Sequence, residues 1–282
     1  MKAVQITSKI RFLHIPKTAG SSFDECLFLQ YLSAYILRQH FIFTGDFNTD
    51  LQRYRQIAPA TREKLVLHLG HAPLFTGIKE IDSIPTITFL RNPIDRVISH
   101  CQHVSEGKSF GSSKNLNYKN MDVDQFLSSG RTQLSNFQSK LLLGREGYTL
   151  PKGSLDELVN RAVNILEHEL SGFGITEEFD SSLLMFAKSL GWKKPPIYRR
   201  RNTKNSNSLL EFEARHIAKI RELNQVDLQV YDRARALFKN RLAEYEGDLD
   251  LDLANFRLKL KNWNGVFPAI DLARNFRKLI AR

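Results

Sequence analysis

The chain runs to 282 residues, 42% of them hydrophobic, 10% aromatic and 25% charged, which is enough apolar content for a packed core and excludes disorder as the main state. Its apolar runs are strand-sized, far short of the roughly 18 residues of a membrane-spanning helix, and residues 1–10 hold no apolar run ahead of a small-residue cleavage site, so a soluble, cytoplasmic chain with no integral membrane segment is expected. Two cysteines, Cys26 and Cys101, are too few for a disulfide scaffold, and 41 basic against 30 acidic residues give a net charge of +11 that favours an anionic partner, whether nucleic acid, a phosphorylated or sulfated small molecule or an acidic surface.

The first predicted element is a strand over residues 10–15, stopped by Pro16 and followed by the small polar run Lys17-Thr18-Ala19-Gly20-Ser21-Ser22. A helix follows over 22–38, with Phe23, Cys26, Leu27, Gln30 and Tyr31 at helical spacing on one face. After a mixed, mostly polar segment, residues 65–69 and 86–90 read as strands, the first ending at Gly70-His71 and the second at Arg91-Asn92-Pro93. Asn92 then caps a helix over 94–104, with Pro93 suited to its first turn. Residues 105–120 turn to Gly, Ser, Lys and Asn with isolated aromatics, the composition of a long loop and a candidate lid.

Helical periodicity returns over 123–129, 133–143 and 155–170, the last opened by a capping-box pattern of Ser154 with Glu157. Gly172-Phe173-Gly174-Ile175 reads as a short buried strand, after which Thr176 caps a helix through Leu190 that Gly191 ends. Residues 193–207 form a basic loop. Ser208 with Glu211 opens a helix to about 223, and Asp227 begins another to about 245. Beyond Gly247 the pattern weakens: 256–260 alternates like a strand, while 268–280 is amphipathic and helical. Strands alternating with helices predict an α/β fold, a mainly parallel central sheet flanked by helices with a helix-rich C-terminal half. One domain is expected over residues 1–246, with 247–282 an extension of unknown role packed on it.

Three strands thus end beside polar or charged residues: Lys17 to Ser22, His71, and Arg91 with Asn92. In open parallel sheets ligands bind in the crevice beyond the carboxyl ends of the strands, so the three clusters should face one cleft. The first suits a phosphate cradle, in which backbone N–H groups and hydroxyls at a helix N-terminus meet an anion and a lysine adds a point charge. The same residues also suit a capped strand-to-helix turn with an exposed lysine. The nucleotide-triphosphatase loop is a poor match, because here the lysine precedes the glycine and no magnesium-binding acidic strand end follows.

His14-Ile15-Pro16-Lys17-Thr18-Ala19-Gly20-Ser21-Ser22-Phe23 resembles the 5′-phosphosulfate loop of sulfotransferases that use 3′-phosphoadenosine 5′-phosphosulfate (PAPS). It is most similar to the branch that holds the heparan and uronosyl 2-O-sulfotransferases and bacterial relatives. Phe89-Leu90-Arg91-Asn92-Pro93-Ile94-Asp95-Arg96-Val97-Ile98-Ser99 resembles the family's 3′-phosphate motif, and the two motifs stand in the family's order. Weaker similarity extends over residues 10–245: Gly70-His71 stands where that branch carries its proposed base, and Gly174 to Phe179 resembles a family segment. Arg199-Arg200-Arg201-Asn202-Thr203-Lys204 resembles the stretch that closes over the nucleotide.

The resemblance implies a P-loop-like sheet and an enzyme that moves a sulfuryl group from PAPS to an acceptor hydroxyl, on a carbohydrate or glycosylated compound, releasing 3′,5′-adenosine bisphosphate (PAP). It implies that Lys17 is catalytic at the bridging oxygen. Thr18, Ala19, Gly20, Ser21 and Ser22 would join Lys17 in holding the 5′-phosphate, and Arg91 with Ser99 the 3′-phosphate. Arg201 and Lys204 would add cofactor contacts and His71 would be the general base, with no metal and no nucleic acid among the partners.

From the residues themselves, His14 and His68 read as packing positions, with His14 able to support the loop. The His100 and His103 pair lacks a third and fourth ligand for a metal. Asp95 and Arg96 read as an ion pair near the helix start, and Glu177 with Glu178 as complements to a helix dipole. A non-catalytic anion or nucleic-acid binder is the alternative of another class, and a kinase-like phosphotransferase a third.

Overall fold

The computed structural model describes residues 9–106, 121–144, 148–199 and 210–263. Five parallel strands, β1 (Ile10–Leu13), β2 (His40–Phe43), β3 (Leu67–Gly70), β4 (Thr86–Leu90) and β5 (Gly172–Ile175), form one sheet in the order β2-β3-β1-β4-β5. The α/β class expected from the alternation of strands and helices is what the chain adopts. β1 is central, in register with β3 from Ile10 against Leu67 to Leu13 against Gly70, and with β4 from Arg11 against Thr86.

Because successive strand residues point to opposite faces, the sheet feeds a core on each side, with β1 and β4 contributing to both. Ile10, Phe12, Leu67, Leu69, Ile87 and Phe89 pack with Phe23, Leu183, Phe186 and Phe256 on one side. Leu13, Leu90, Phe173 and Ile175 pack with Leu141, Leu166, Val230 and Phe238 on the other. Burial on both faces explains why β1, β3, β4 and β5 appear in the sequence as near-continuous apolar runs. Among the described residues no helix is long and apolar enough to cross a membrane.

Several elements depart from the sequence-based expectation. The mixed segment holds β2 and the helices Phe47–Gln56 and Pro59–Glu63. β2 escapes the periodicity test because its outward position holds the apolar, exposed Ile42, which erases the alternation of a half-buried strand. The predicted 22–38 helix starts at Gly20 and divides into Gly20–Gln30 and Leu32–Ile36, broken at Tyr31 where ψ turns to 33°. Thr176 opens a short 3-10 turn, Thr176–Glu178, ahead of the helix Phe179–Ser189. The next helix, Ala214–Leu223, is capped by Glu213 and His216, so Glu211 lies outside it, and Ser208 lies outside the described residues.

The stretch 256–260 is helical and not a strand. It belongs to Leu249–Asn262, whose N-terminus Asp248 caps by accepting from the Leu251 N–H at 3.0 Å. Phe256 is buried in the first core and Leu260 packs beside it, the i, i+4 spacing of a helix face. Leu258, which made the alternation, is exposed. The loop residues 107–120 and the amphipathic stretch 268–280 lie outside the described residues.

Candidate functional site

Beyond the end of β1 the chain climbs through Ile15 and Pro16 into a turn with φ of 73° at Lys17 and 62° at Ala19. Two left-handed non-glycine residues in three is costly backbone, the kind retained where the turn itself has a task. Alternating handedness makes successive N–H groups converge on one point, an anion-binding concavity. The helix Gly20–Gln30 starts at once, so the first-turn amides of Gly20 and Ser21 have no acceptor within the helix. Thr18 is buried and its hydroxyl donates to the Ile15 carbonyl at 2.8 Å, so it braces the turn from inside and does not line the cavity over the turn.

A cavity of about 210 Å³ opens over this turn, walled by Lys17, Ala19, Gly20, Ser21 and Ser22 on one side and by Arg91, Ser99, His103, Thr176 and His14 on the others. Arg91 follows β4, and its Nη1 donates to the Lys17 carbonyl at 3.0 Å. Ser99 and His103 lie one turn apart on the helix Pro93–Ser105, whose N-terminus Asn92 caps by accepting from Ile94 and Asp95. Thr176 follows β5, and its hydroxyl oxygen is buried without a hydrogen-bond partner. The structure therefore brings Lys17 and Ala19 to Ser22 of the first motif and Arg91 with Ser99 of the second to one cavity, and leaves Thr18 out of its wall.

His71 does not line that cavity; His14 does. The two imidazoles lie with ring centroids 4.6 Å apart, and His71 Nδ1 is 2.8 Å from the His14 carbonyl oxygen. That oxygen accepts only, so Nδ1 carries the proton and Nε2 is the basic nitrogen of the ring. Burial, with the neighbouring His14 ring adding to it, pulls His71 down to about 4, while burial and the Lys17 ammonium pull His14 down to about 4. Both are neutral at pH 7.

The backbone around His71 is strongly held. Its N–H donates to the Phe43 carbonyl at 3.2 Å, and the Tyr148 hydroxyl stands 3.0 Å from its carbonyl oxygen. Arg11, buried in β1, donates to the carbonyls of Ala72, Pro73 and Leu74, the three residues that follow. Gly70 permits the approach: a Cβ there would fall 2.1 Å from the Phe43 carbonyl oxygen. Gly20 plays the same part across the site, since its Cβ would fall 1.8 Å from His14 Nε2. His14 thus supports the turn, as its position suggested, and also walls the cavity.

Arg201 and Lys204 lie outside the described residues. Arg199, at the start of that basic stretch, is anchored to the helix Gly20–Gln30: its backbone N–H and its Nε and Nη2 donate to the buried Glu25 carboxylate at 2.8, 3.0 and 2.6 Å. Asp95 is exposed while Arg96 is buried, so the expected pair does not form its environment; Arg96 donates to the Gln133 carbonyl and lies over the Phe137 ring. Glu177, expected to complement a helix dipole, accepts from the Asn92 N–H at 2.9 Å and the Tyr231 hydroxyl at 2.8 Å. His100 is buried, and among the described residues no group of three or more His, Cys, Asp or Glu side chains is placed to hold a metal.

Sequence reasoning gave His103 and Thr176 no part in the cleft. Both had a signal: His103 is four residues after Ser99 on one helix, and Thr176 follows a strand end just as Arg91 does.

No family model matches the chain. It is similar to heparan-sulfate 6-O-sulfotransferase 1 of Homo sapiens, 24% identical over 188 residues that cover 58% of this chain and 45% of that protein. The same protein of Cricetulus griseus is 23% identical over 198 residues, 62% of this chain and 49% of its own. Heparan-sulfate 6-O-sulfotransferase 1-B of Danio rerio is 23% identical over 189 residues, 58% and 46%. The chain spans about half the length of these relatives. All are sulfotransferases by name, which agrees with the resemblance to the PAPS-dependent family drawn from the two motifs. They carry the 6-O name where the motifs resemble the 2-O branch, and similarity at this level does not fix the branch.

Proposed function

We propose that the protein is a PAPS-dependent sulfotransferase acting on a hydroxyl of a carbohydrate or glycosylated compound. The observation that carries this reading is the bond from Arg91 to the Lys17 carbonyl, which joins a 3′-phosphate candidate to a 5′-phosphate candidate across one cavity. The chemistry of the residues fits the donor: a left-handed turn and a helix N-terminus for one phosphate, a guanidinium with the Ser99 hydroxyl for the other.

The bound donor supplies a sulfur electrophile joined to the 5′-phosphate through a bridging oxygen. As the acceptor hydroxyl oxygen bonds to sulfur, the bond from sulfur to that bridging oxygen breaks and PAP departs with the electron pair. Lys17 stabilises the negative charge that develops on the leaving oxygen, and the loop amides hold the 5′-phosphate in place. His71, with Nε2 basic and the ring neutral at pH 7, takes the hydroxyl proton of an acceptor that reaches it beside the cavity, and His14, whose ring lies 4.6 Å away and lines the cavity, is the next candidate. His103 and Thr176 flank the 3′-phosphate side with Ser99.

Calorimetric titration with PAP, AMP and ATP without magnesium tests the donor site. Selective binding of PAP that Arg91→Ala weakens is expected. Equal or absent binding of all three overturns the reading and turns attention to salt-dependent binding of nucleic acid by the +11 chain.

A further inference from the structure

We propose that Gln138 is a positioning residue that sets Arg91 for recognition of the donor's 3′-phosphate, an inference that rests on the reading of Arg91 above. Gln138 is buried near the start of the helix Phe137–Leu143 and lies outside the cavity wall. Its carboxamide meets the main chain of Arg91 from both sides. Oε1 accepts from the Arg91 N–H at 3.0 Å, and Nε2 donates to the Arg91 carbonyl at 2.9 Å.

The need for such a partner follows from the sheet. The β4 ladder ends with Leu90 against Ile175, so the next peptide groups have left the strand pairing and require other partners. A primary amide presents an acceptor and a donor in one plane, which lets a single side chain stand in for a neighbouring strand. Gln138 thereby fixes the direction in which the Arg91 side chain leaves the sheet, and the Lys17 carbonyl holds the far end at 3.0 Å.

Gln138 is itself braced from the distant helix Gln225–Ala243. The buried Asp227 carboxylate accepts from the backbone N–H groups of Gln138 and Ser139 at 3.0 and 2.7 Å. In return the Asn136 side-chain oxygen accepts from the N–H groups of Val226 and Asp227 at 3.0 and 3.1 Å. Each helix caps the other's N-terminus, so the carboxamide is presented by two mutually locked elements and not by a free rotamer.

The test uses the full chain, with PAP and AMP titrated calorimetrically into wild type, Gln138→Met and Arg91→Ala, and into the double variant. Gln138→Met keeps the side-chain length and deletes both hydrogen bonds. The expected result is a loss of about tenfold in the ratio of PAP to AMP affinity, the scale of one misplaced charge-assisted hydrogen bond. In the Arg91→Ala background the same substitution should leave that ratio unchanged, because its effect passes through Arg91. If Gln138→Met fails to fold, Gln138→Asn, which keeps the carboxamide but withdraws it by one methylene from the Arg91 main chain, should show the same selective loss. A folded variant whose ratio stays at the wild-type value, or whose PAP and AMP affinities fall equally, overturns the inference while the donor reading stands. A wild-type protein that binds PAP and AMP alike overturns the donor reading and this inference with it.

Discussion

Arg91 donates from Nη1 to the main-chain carbonyl of Lys17 at 3.0 Å, so the residue that follows β4 braces the left-handed residue that opens the turn after β1. β1 and β4 are neighbours in the sheet, which is why two motifs far apart in sequence lie within one hydrogen bond of each other. The two residues are mechanically one unit, and the proposed function gives their side chains separable tasks.

That separation predicts different kinetic signatures. Lys17→Ala should lower turnover by about 10²–10³ through lost stabilisation of the leaving oxygen, with PAP binding weakened far less. Arg91→Ala should chiefly reduce the preference for PAP over AMP. Steady-state kinetics with PAPS, alongside PAP and AMP titrations, measure both. The assignment fails if the two substitutions give the same pattern.

The histidine pair yields a second prediction. His71→Ala should cut turnover by about 100-fold or more while donor binding survives. Because burial holds the imidazole at about 4, it is already in the basic form through the neutral range. The rate should therefore be flat from pH 8 downward and fall only as pH approaches about 4. A His71 variant of wild-type turnover beside an inactive His14 variant would move the role of base to His14, the imidazole that lines the cavity, while a limb near the ordinary histidine value would exclude both, since burial holds each at about 4.

How far this site is legible from sequence follows from the kind of constraint each residue obeys. β1, β3, β4 and β5 are short apolar runs with chemistry-bearing residues directly after them, so local pattern locates both strand and site. Thr176 obeys the same rule and was readable. β2 was not, because this edge strand carries the apolar Ile42 at an exposed position and so shows no alternation. The misread helix around Phe256 shows the opposite failure, since Arg257-Leu258-Lys259-Leu260 alternates as a strand does and only packing decides between periods. Gln138 leaves no local trace at all: its partners are Arg91 and Asp227, and contacts of that separation are a product of the fold.

Gly20 offers a test of the cavity wall. A methyl group there would fall 1.8 Å from His14 Nε2, and that ring is confined by Phe12 and His71 at centroid distances of 5.3 and 4.6 Å. Gly20→Ala should cost about 1–3 kcal/mol, the range for overpacking a filled site, although alanine is the better helix former. With His14→Ala already in place the same change should cost little. Urea unfolding of the two single variants and the double variant measures the coupling, and simple additivity would show that the contact is not the source of the cost.

His68 gives a prediction for stability against pH. It is fully buried in β3, neither ring nitrogen has a hydrogen-bond partner, and burial followed by the Arg11 charge lowers it to about 3. The unfolded chain protonates this imidazole at about 6.5 and the folded chain does not. Between those values the unfolded state binds more protons, so the His68 contribution to stability is fully present above about 6.5 and is lost as pH falls toward 3. His14 and His71 add slopes of the same sign down to about 4. His68→Leu removes the titration and two unpartnered polar atoms together, so the variant should match or exceed wild type by about 1 kcal/mol at pH 7. At pH 5 its advantage should widen by on the order of 2 kcal/mol. Denaturant unfolding of both proteins at pH 7 and pH 5 reads the difference directly. Curves that stay parallel across that interval would mean that His68 meets its proton equally in the folded and unfolded chain, and that the acid sensitivity resides in the His14 and His71 pair beside the cavity.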